Sequence, residues 1–371
     1  MNQSRLWKTF SALIAIDSPS FEERLFCDAL KEQLMALGIQ TYEDNAGERI
    51  GGNCGNLYSF LPGSLSLSPL LFSAHMDTVE PGHGKRAILS DGGFITSAGD
   101  TILGADDVAG IAAILEALAR LKESGKPHRP VELLFPVAEE SYGLGSAQAD
   151  YSRISAKESY TLDLGGTIGE AANAAPTVLS FEFTVAGKAA HAGFAPKDGV
   201  HAVAVAANAI ARVPIGTPEP GVTCNIGMIS GGEANNVIPS LCKVGGEIRA
   251  LSHTAVLVWW KKVKSIFEEE ASAAGATVKA EHHCEITAYK TPLDSSPVRR
   301  FEKACERIGV HANIHSTLGG SDQNNFAKHG IQGLVLACSM HNVHSTREFC
   351  LLDEIEQCAE LILSLILEET P

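Results

Sequence analysis

Five short segments of this chain each carry a side chain that binds divalent metal ions well, and each lies beside an apolar run. The segments are His75-Met76-Asp77, Asp106-Asp107, Glu139-Glu140, Asp163 and His344. Together they supply two imidazoles and at least three carboxylates, a mixed nitrogen and oxygen ligand set that suits zinc and also accepts manganese or cobalt. The fold must therefore be one that can bring five distant segments together.

Three of these segments follow short apolar runs. Residues 69–74 precede His75, residues 131–138 precede Glu139, and residues 160–162 precede Asp163. Runs of this kind are consistent with buried strands. In an open α/β sheet, ligands bind at the carboxyl ends of parallel strands. The pattern therefore predicts that these three side chains meet at one edge of a sheet.

The other two segments can reach the same edge. Asp106 precedes a helical pattern and so lies near a helix N-terminus. The apolar residues on one face of that helix are Ile111, Ile114, Leu115, Leu118 and Leu121. His344 follows the apolar run of residues 333–338. One convergent pocket is therefore a simple arrangement for all five segments.

Each segment taken alone has an ordinary explanation. A single histidine at a strand end is usually structural, an aspartate before a helix is usually a cap, and a pair of adjacent glutamates is usually solvated surface. These explanations would have to hold for five independent segments, each with a metal-competent residue near the end of its element. We therefore interpret the set as one metal-binding pocket.

Five strings in the chain carry a resemblance to a known group of enzymes. The strings LFSAHMDTVEPG, ILGADDVAG, VAEESYGLGS, YTLDLGG and HNVHSTREF resemble, in order and spacing, the signature blocks of the co-catalytic dizinc hydrolases that include peptidase T, carboxypeptidase G and aminoacylase. The likeness is greatest to peptidase T and its relatives and extends over residues 10–368. It implies a mixed, mostly parallel α/β sheet flanked by helices, of the zinc-exopeptidase type, with an inserted α+β ferredoxin-like lid domain.

The resemblance implies a role for each of the five ligands. Asp106 corresponds to the carboxylate that bridges two metals, His75 and Asp163 complete one site, and Glu140 and His344 complete the other. Two divalent metal ions per chain are therefore expected, zinc first and manganese or cobalt as alternatives. A shared water or hydroxide would fill the open coordination position, as in catalytic zinc sites.

The catalytic residues implied by the resemblance are Glu139, Asp77 and His191. Glu139 corresponds to the general base, which acts later as the acid. Asp77 corresponds to a residue that accepts the second ring proton of His75 and so fixes the tautomer of that ligand. In this family the peptide between the two aspartates of the ADD string is cis, so a cis bond is expected between Asp106 and Asp107. Successive strand residues face opposite ways, so Glu139 and Glu140 can both approach the metals only if their strand ends near residue 138.

Length and pattern predict two domains. A chain of 371 residues with 45% hydrophobic content can bury a large core. The pattern changes near Pro176, where a strand at 179–185, a helix at 200–210, strands at 224–229 and 242–249, a helix at 254–274 and a strand at 278–287 follow. This βαββαβ order is typical of a ferredoxin-like domain. We therefore predict a catalytic domain of residues 1–176 and 291–371, with a helix at 296–308, and a lid and dimerisation domain of residues 177–290.

The predicted lid domain supplies further candidates. His191, in GKAAHAGFAP, resembles the family histidine that stabilises the oxyanion, often from the partner subunit of a dimer. Asn236 and Arg249 resemble lid residues that bind substrate, and Arg249 could clamp a peptide carboxylate. An arginine at a strand end is also a common surface charge. Gly320, just after the predicted lid, belongs to a Gly-Gly turn that resembles a cleft lining but is also an ordinary turn.

Composition excludes several classes of protein. Nine cysteines without CxxC pairing, in a chain lacking a signal-peptide pattern, indicate reduced thiols in a cytoplasmic protein. No apolar stretch reaches the eighteen or so residues that span a bilayer. A net charge of −15 without a basic stripe argues against a nucleic-acid partner.

The function hypotheses follow from the resemblance. The first is hydrolysis of an amide bond in a short peptide, with peptidase T pointing to an aminopeptidase that acts on tripeptides as a homodimer. An N-acyl amino acid deacylase or a carboxypeptidase would use the same site. A catalytically silent relative that serves as a binding protein is the alternative from another class, and the retention of all five ligands and Glu139 argues against it.

Overall fold

The computed structural model describes residues 4–367. The helices are α1 Arg5–Ile14, α2 Arg24–Ala36, α3 Ala46–Ile50, α4 Ala105–Ser124, α5 Leu144–Ala147, α6 Ala202–Arg212, α7 His253–Ala273, α8 Ser296–Ile308, α9 Gln323–Lys328 and α10 Leu352–Leu367. The strands are β1 Thr41–Glu43, β2 Leu57–Leu61, β3 Leu70–Ser73, β4 Ala87–Leu89, β5 Phe94–Ser97, β6 Val131–Phe135, β7 Glu158–Gly165, β8 Glu170–Ala175, β9 Thr177–Ala186, β10 Gly216–Glu219, β11 Val222–Gly231, β12 Leu241–Ala250, β13 Thr277–Ile286, β14 Tyr289–Lys290, β15 Asn313–Ser316, β16 Gln332–Met340 and β17 Phe349–Leu351.

The chain divides into two compact units. Within the described residues, the first unit contains the chain up to Ala174, then Lys290–Thr317, then the chain from Ser321 on. The second unit contains Ala175–Tyr289 together with Leu318–Gly320. Residues 1–3 and 368–371 of the predicted catalytic domain lie outside the described residues. The functional division into a catalytic and a lid domain stays a prediction.

The first unit is built round a mixed sheet with parallel strands at its centre. Within residues 4–367 this sheet has nine strands in the order β1-β2-β6-β3-β7-β16-β8-β14, with β15 beside β8. The four neighbours β6, β3, β7 and β16 run parallel, whereas β2 and β8 are antiparallel to them. Strands β3, β6 and β16 are mostly apolar and almost wholly buried, as expected for parallel strands covered on both faces. The predicted α/β fold is confirmed by this architecture.

Helix α4 is the helix that matters most for the site. It is buried around nearly its whole circumference, and its small and branched residues pack against α1 and α10. At its C-terminus Gly125 adopts a left-handed conformation with φ of 59°, which costs glycine little. At its N-terminus Asp106 and Asp107 leave helical geometry.

A separate small sheet, β17-β5-β4, lies in the same unit.

The second unit has the predicted ferredoxin-like order. Its antiparallel sheet runs β10-β11-β12-β9-β13, and α6 and α7 pack on it. The core includes Trp260 and a stacked pair, Phe183 and Phe267, whose ring centroids lie 3.9 Å apart. Strand β10 was not predicted, because the sequence Gly216-Thr-Pro-Glu219 carries a proline and no apolar alternation. Among the described helices of both units, none is long and apolar enough to cross a membrane.

Candidate metal centre

Strand register brings two of the predicted ligands to the same level of the first unit's sheet. Ser73 in β3 lies opposite Leu134 in β6 and Thr161 in β7. His75 lies two residues beyond this level, just after the end of β3, and Asp163 lies two residues beyond it in the last part of β7. The apolar runs that precede these residues therefore do position them side by side, as a parallel sheet requires.

Asp106 faces two imidazoles, one with each carboxylate oxygen. Its Oδ1 lies 3.0 Å from Nε2 of His75, and its Oδ2 lies 3.3 Å from Nε2 of His344. Nε2 of His344 also lies 3.0 Å from Oε1 of Glu140, and Nε2 of His75 lies 3.9 Å from Oδ1 of Asp163. The five predicted ligands thus form two triads that share one carboxylate.

The donor set fits a pair of divalent cations. In each triad, the ligand atoms all lie within 4.8 Å of one another. His75 is fixed with Nε2 toward the triad, because its Nδ1 is hydrogen-bonded to the Asp77 carbonyl oxygen at 2.9 Å. The other side chains are nearly buried, but that of His344 is 52% exposed, so the second triad lies next to solvent. Two imidazoles and three carboxylates suit zinc, manganese or cobalt.

The electrostatics of the protein groups alone show a surplus of buried negative charge. Removal from water and the charge of Asp106 raise the pKa of Asp163 well above its ordinary value. Removal from water and the charge of Asp163 do the same to the pKa of Glu139. Hydrogen bonds to Asp106 and Glu140 raise the pKa of His344 to about 10. Burial of several carboxylates together is costly unless positive charge compensates it, and divalent cations would supply that charge.

Asp106 is held in place through its main chain. Oε1 of Glu348 accepts the N–H of Asp106 at 3.0 Å, and Oε2 accepts the N–H of Gly104 at 2.7 Å. The peptide between Asp106 and Asp107 is cis, as the resemblance implied. Oδ2 of Asp107 accepts the N–H of His75 at 3.1 Å. The two aspartates therefore have different roles, since Asp106 faces the imidazoles and Asp107 holds the chain at His75.

The carboxylate of Asp77 binds main chain and also lies near the ring of His75. Its Oδ1 accepts the N–H of Glu139 at 2.9 Å, and its Oδ2 accepts the N–H of Glu140 at 3.1 Å and the Ser20 hydroxyl at 2.7 Å. Nδ1 of His75 is nearer to the Asp77 carbonyl oxygen than to Oδ1, which lies 3.4 Å away. The expected role of Asp77 in fixing the tautomer of His75 stays a prediction, to which the structure adds the contacts of its carboxylate with residues 139 and 140.

The turn that carries Glu139 and Glu140 begins earlier than expected. Strand β6 ends at Phe135, before Pro136, not near residue 138, because proline has no N–H for the sheet ladder. Ala138 then adopts a left-handed conformation with φ of 48°. The N–H of Gly143 donates to the carbonyl oxygen of Glu139 at 2.7 Å and closes the turn.

Three buried residues that sequence reasoning missed hold this turn. Glu23 accepts the N–H of Ala138. Asn56 accepts the N–H of Val137 and donates to the carbonyl oxygen of Gly145, and Asn325 donates to the carbonyl oxygen of Gly143. The sequence gives little sign of these roles. Glu348, which binds the main chain at Asp106, lies in the string HNVHSTREF, where the resemblance implied a role only for His344.

The second unit brings His191 and Asn236 together. The N–H of Ala192 donates to the carbonyl oxygen of Asn236 at 3.0 Å, and Asn236 itself is exposed. Nδ1 of His191 accepts the N–H groups of Gly193 and Phe194 at 3.1 and 3.2 Å. A ring nitrogen that accepts carries no proton, so a neutral His191 bears its proton on Nε2. The side chain is therefore set as a hydrogen-bond donor.

Arg249 and Gly320 form another pair in the second unit. Nη1 of Arg249 donates to the carbonyl oxygen of Leu318 at 3.2 Å, which ties Arg249 to the Gly-Gly turn. Nε and Nη2 of Arg249 already bind the carboxylate of Glu247, so this edge of the guanidinium is not open to a substrate. A Cβ on Gly320 would lie 2.2 Å from Cδ1 of Ile286, so a larger residue there would require the buried side chain of Ile286 to shift.

Comparison with known proteins identifies the family. Residues 71–368 match the model of peptidase family M20/M25/M40. The chain belongs to this family. The match spans the strand end with His75, the helix with Asp106 and the segment with His344, so the convergent ligand set lies within the family's own region.

Members of the family that have been solved or named resemble this chain along most of its length. The crystal structure of aminopeptidase PepT from Bacillus cereus is 36% identical with a TM-score of 0.91, covering 99% of this chain and 98% of that one. A tripeptidase from Staphylococcus aureus is 31% identical with a TM-score of 0.95, covering 98% and 97%. Peptidase T from Pectobacterium atrosepticum is 27% identical over 285 residues, which are 73% of this chain and 67% of that protein. The likeness to peptidase T-like proteins and the α/β fold class are therefore confirmed.

Proposed function

We propose that this chain is a metal-dependent aminopeptidase that removes the N-terminal residue from tripeptides. The observation that carries the proposal is the position of Asp106, whose two oxygens face His75 and His344 at 3.0 and 3.3 Å. The whole-length likeness to an aminopeptidase PepT and a tripeptidase supports the choice of substrate.

The five ligands have defined parts in this proposal. His75, Asp106 and Asp163 hold one divalent cation, and Asp106, Glu140 and His344 hold the other. Bound there, the cations would polarise the scissile carbonyl and lower the pKa of an attacking water toward about 7. The metal is proposed to be zinc, and manganese or cobalt fit the same donors.

The remaining chemistry belongs to the protein side chains. Glu139 accepts the proton of the attacking water and then gives it to the amine that leaves, so no proton is lost or gained overall. Burial and the charge of Asp163 raise the pKa of Glu139, which favours its action as a proton acceptor. Asp77 fixes the main chain at Glu139 and Glu140. His191 donates from Nε2 to the oxyanion that forms on the scissile carbonyl.

A homodimer formed through the second unit is part of the proposal. In that unit β10 pairs with β11 only through Val222 and Cys224, so residues 225–231 of β11 pair with β12 alone in the described sheet. Met228 and Ile229 on this open edge are 73% and 55% exposed. Exposed apolar strand edges are typical of association surfaces.

A cytoplasmic location is supported by the nine cysteines, all of which are free.

A peptide panel tests the reaction and separates the alternatives. The enzyme is dialysed against chelator, reloaded with zinc, manganese or cobalt, and given trialanine, N-acetyl-trialanine, trialanine amide and N-acetylalanine. We expect hydrolysis of trialanine and of its amide, and none of the acetylated peptide, because an aminopeptidase needs a free amine. Cleavage of N-acetyl-trialanine but not of the amide would indicate a carboxypeptidase, and cleavage of N-acetylalanine a deacylase. Turnover by metal-free protein would contradict the proposal.

Glu139→Gln tests the assignment of the base. The variant should keep its bound metal, since Glu139 belongs to neither triad, and its kcat should fall on the order of 10²-fold or more. Glu123→Gln is the matched control, because Glu123 is exposed and lies on the far end of α4. Unchanged kcat in Glu139→Gln would remove this residue from its proposed role.

Subunit mixing tests whether His191 acts across a dimer. His191→Ala and Glu139→Ala chains are each expected to be inactive. Mixed dimers should regain activity if the histidine of one subunit serves the base of the other. Mixed dimers without activity would favour a site completed within one chain.

A further inference from the structure

A segment near the N-terminus runs beside the loops that carry the proposed catalytic groups. Residues 18–20 lie against the chain at Asp77 and Thr78, where the hydroxyl of Ser20 donates to Oδ2 of Asp77 at 2.7 Å. Three residues later, Oε1 of Glu23 accepts the N–H of Ala138 at 2.9 Å. Asp77 and Glu23 therefore bind three consecutive N–H groups, those of residues 138, 139 and 140.

Ala138 is the residue in this turn that most needs support. It is completely buried and has a φ of 48°, a left-handed conformation that is sterically unfavourable for any residue with a Cβ. Such a conformation persists only where surrounding contacts hold it. Glu23 supplies a contact at this residue, immediately before Glu139 in the chain.

We propose that Glu23 is a positioning residue for the hydrolytic reaction, which holds the left-handed turn at Ala138 and so fixes the main chain that carries Glu139 and Glu140. The role in catalysis rests on the proposed function through Glu139. The role in metal binding rests on Glu140 alone and can be measured without any substrate.

The contacts of Glu23 indicate that it acts as an acceptor and not as a charge. Its side chain is fully buried, and Oε1 accepts the N–H groups of both Phe21 and Ala138 at 2.9 Å. Oε2 is buried and has no hydrogen-bond partner within the described residues. One oxygen therefore makes both contacts, and a glutamine could keep that oxygen in place.

Two substitutions separate the effect of side-chain length from the effect of side-chain charge. Glu23→Gln removes the charge and keeps the length of the side chain. Glu23→Asp keeps the charge and shortens the side chain by one carbon–carbon bond of about 1.5 Å, which takes the oxygen beyond hydrogen-bond distance of Ala138. Glu22→Gln and Glu22→Asp are matched controls, because Glu22 is the exposed neighbour.

The six proteins needed are wild type, the two Glu23 variants, the two Glu22 variants and Glu139→Gln. For each, zinc affinity is measured by competition with a chromophoric chelator, kcat and KM with trialanine, and thermal unfolding by circular dichroism. Kinetics are recorded well below the lowest unfolding temperature, so that unfolded protein does not contribute to a loss of rate.

The proposal predicts that Glu23→Asp binds zinc about 10–100-fold more weakly, as for other residues that orient ligands. Its kcat should fall on the order of 10²-fold with KM little changed, because the base and not the substrate pocket is displaced. Glu23→Gln should resemble wild type in both measurements. Wild-type behaviour of Glu23→Asp, or equal loss in Glu23→Gln, would overturn the proposal.

A purely structural role would also overturn it. In that case Glu23→Asp would unfold at a lower temperature while zinc affinity and kcat of the folded protein stay unchanged. If wild type does not hydrolyse trialanine, the proposed function fails, and the zinc titration alone decides the role of Glu23.

Discussion

Glu348→Gln is the substitution that best tests how the proposed bridging ligand is held. Glu348 is 2% exposed, and its two oxygens accept the N–H groups of Gly104 and Asp106 at 2.7 and 3.0 Å. A glutamine offers one oxygen and one NH2 group at these positions. One backbone donor therefore loses its acceptor and faces another donor.

The magnitude follows from those two contacts. A hydrogen bond to a charged group contributes about 1.5–3 kcal/mol, and a buried donor left without an acceptor costs about 1–3 kcal/mol. The raised pKa of Glu348 means that its ionised form already costs wild type about 3 kcal/mol well above pH 7, so this gain on neutralisation offsets the lost contacts and the net change in the free energy of unfolding should be small. Because Asp106 belongs to both triads, zinc affinity should fall about 10–100-fold.

The assay combines chelator competition with unfolding in denaturant. It is run well above pH 7, because burial raises the pKa of Glu348 to about 7 and the wild-type carboxylate must be ionised. Glu360→Gln is the matched control, because it makes the same chemical change at an exposed position of α10. Wild-type zinc affinity in Glu348→Gln would refute the reasoning that main-chain contacts hold Asp106.

Three further predictions concern stability. Gly320→Ala should destabilise the second unit by about 1–3 kcal/mol in denaturant unfolding, because the new Cβ would lie 2.2 Å from Cδ1 of Ile286. Gly227→Ala is the control and should not destabilise it, because the nearest atom to a Cβ there is 3.5 Å away. Equal effects of the two substitutions would contradict this prediction. Burial and the charge of Asp77 raise the pKa of Glu23 from 4.5 to about 7, so the folded state binds this proton more tightly than the unfolded state, and stability falls as pH rises through this range. From pH 5 to pH 8, wild type should therefore lose about 2–3 kcal/mol of unfolding free energy relative to Glu23→Gln. Parallel pH profiles of the two proteins would exclude the shift. Ala138→Val should destabilise by about 1–3 kcal/mol, since a branched side chain fits a φ of 48° worse than alanine, and an unchanged unfolding midpoint would show that the left-handed turn is absent.

The sequence predicted those residues whose position depends on local pattern. His75 and Asp163 follow apolar runs, and parallel pairing of those runs at Ser73 and Thr161 places both at one edge. Helix α8 occupies the predicted residues 296–308. The pairing of Asp106 with two imidazoles could not be derived from pattern, because a residue before a helix is usually only a cap. That assignment came from the resemblance to a known family.

Residues that act on main chain far away in sequence were not predictable. Glu23 accepts an N–H from a residue 115 positions later, and Glu348 accepts N–H groups 244 and 242 positions earlier. A backbone donor has no residue type, so no pattern marks the partner. The carboxylate of Asp77 likewise binds the N–H groups of residues 62 and 63 positions away, which the resemblance did not imply.

The buried acids fall into two groups, of which one binds main-chain N–H groups and the other supplies the proposed metal ligands. The carboxylates of Glu23 and Asp77 accept the N–H groups of residues 138–140, and that of Glu348 accepts the N–H of Asp106. Because these N–H groups donate to Glu23, Asp77 and Glu348, they do not occupy the lone pairs of the five proposed ligand side chains. The ligand oxygens of Asp106 instead face imidazole nitrogens, which a cation can replace as partners. Support through the main chain thus fixes the ligands before any metal arrives, and this is why a shortened Glu23 or a neutral Glu348 should weaken metal binding without removing a single ligand.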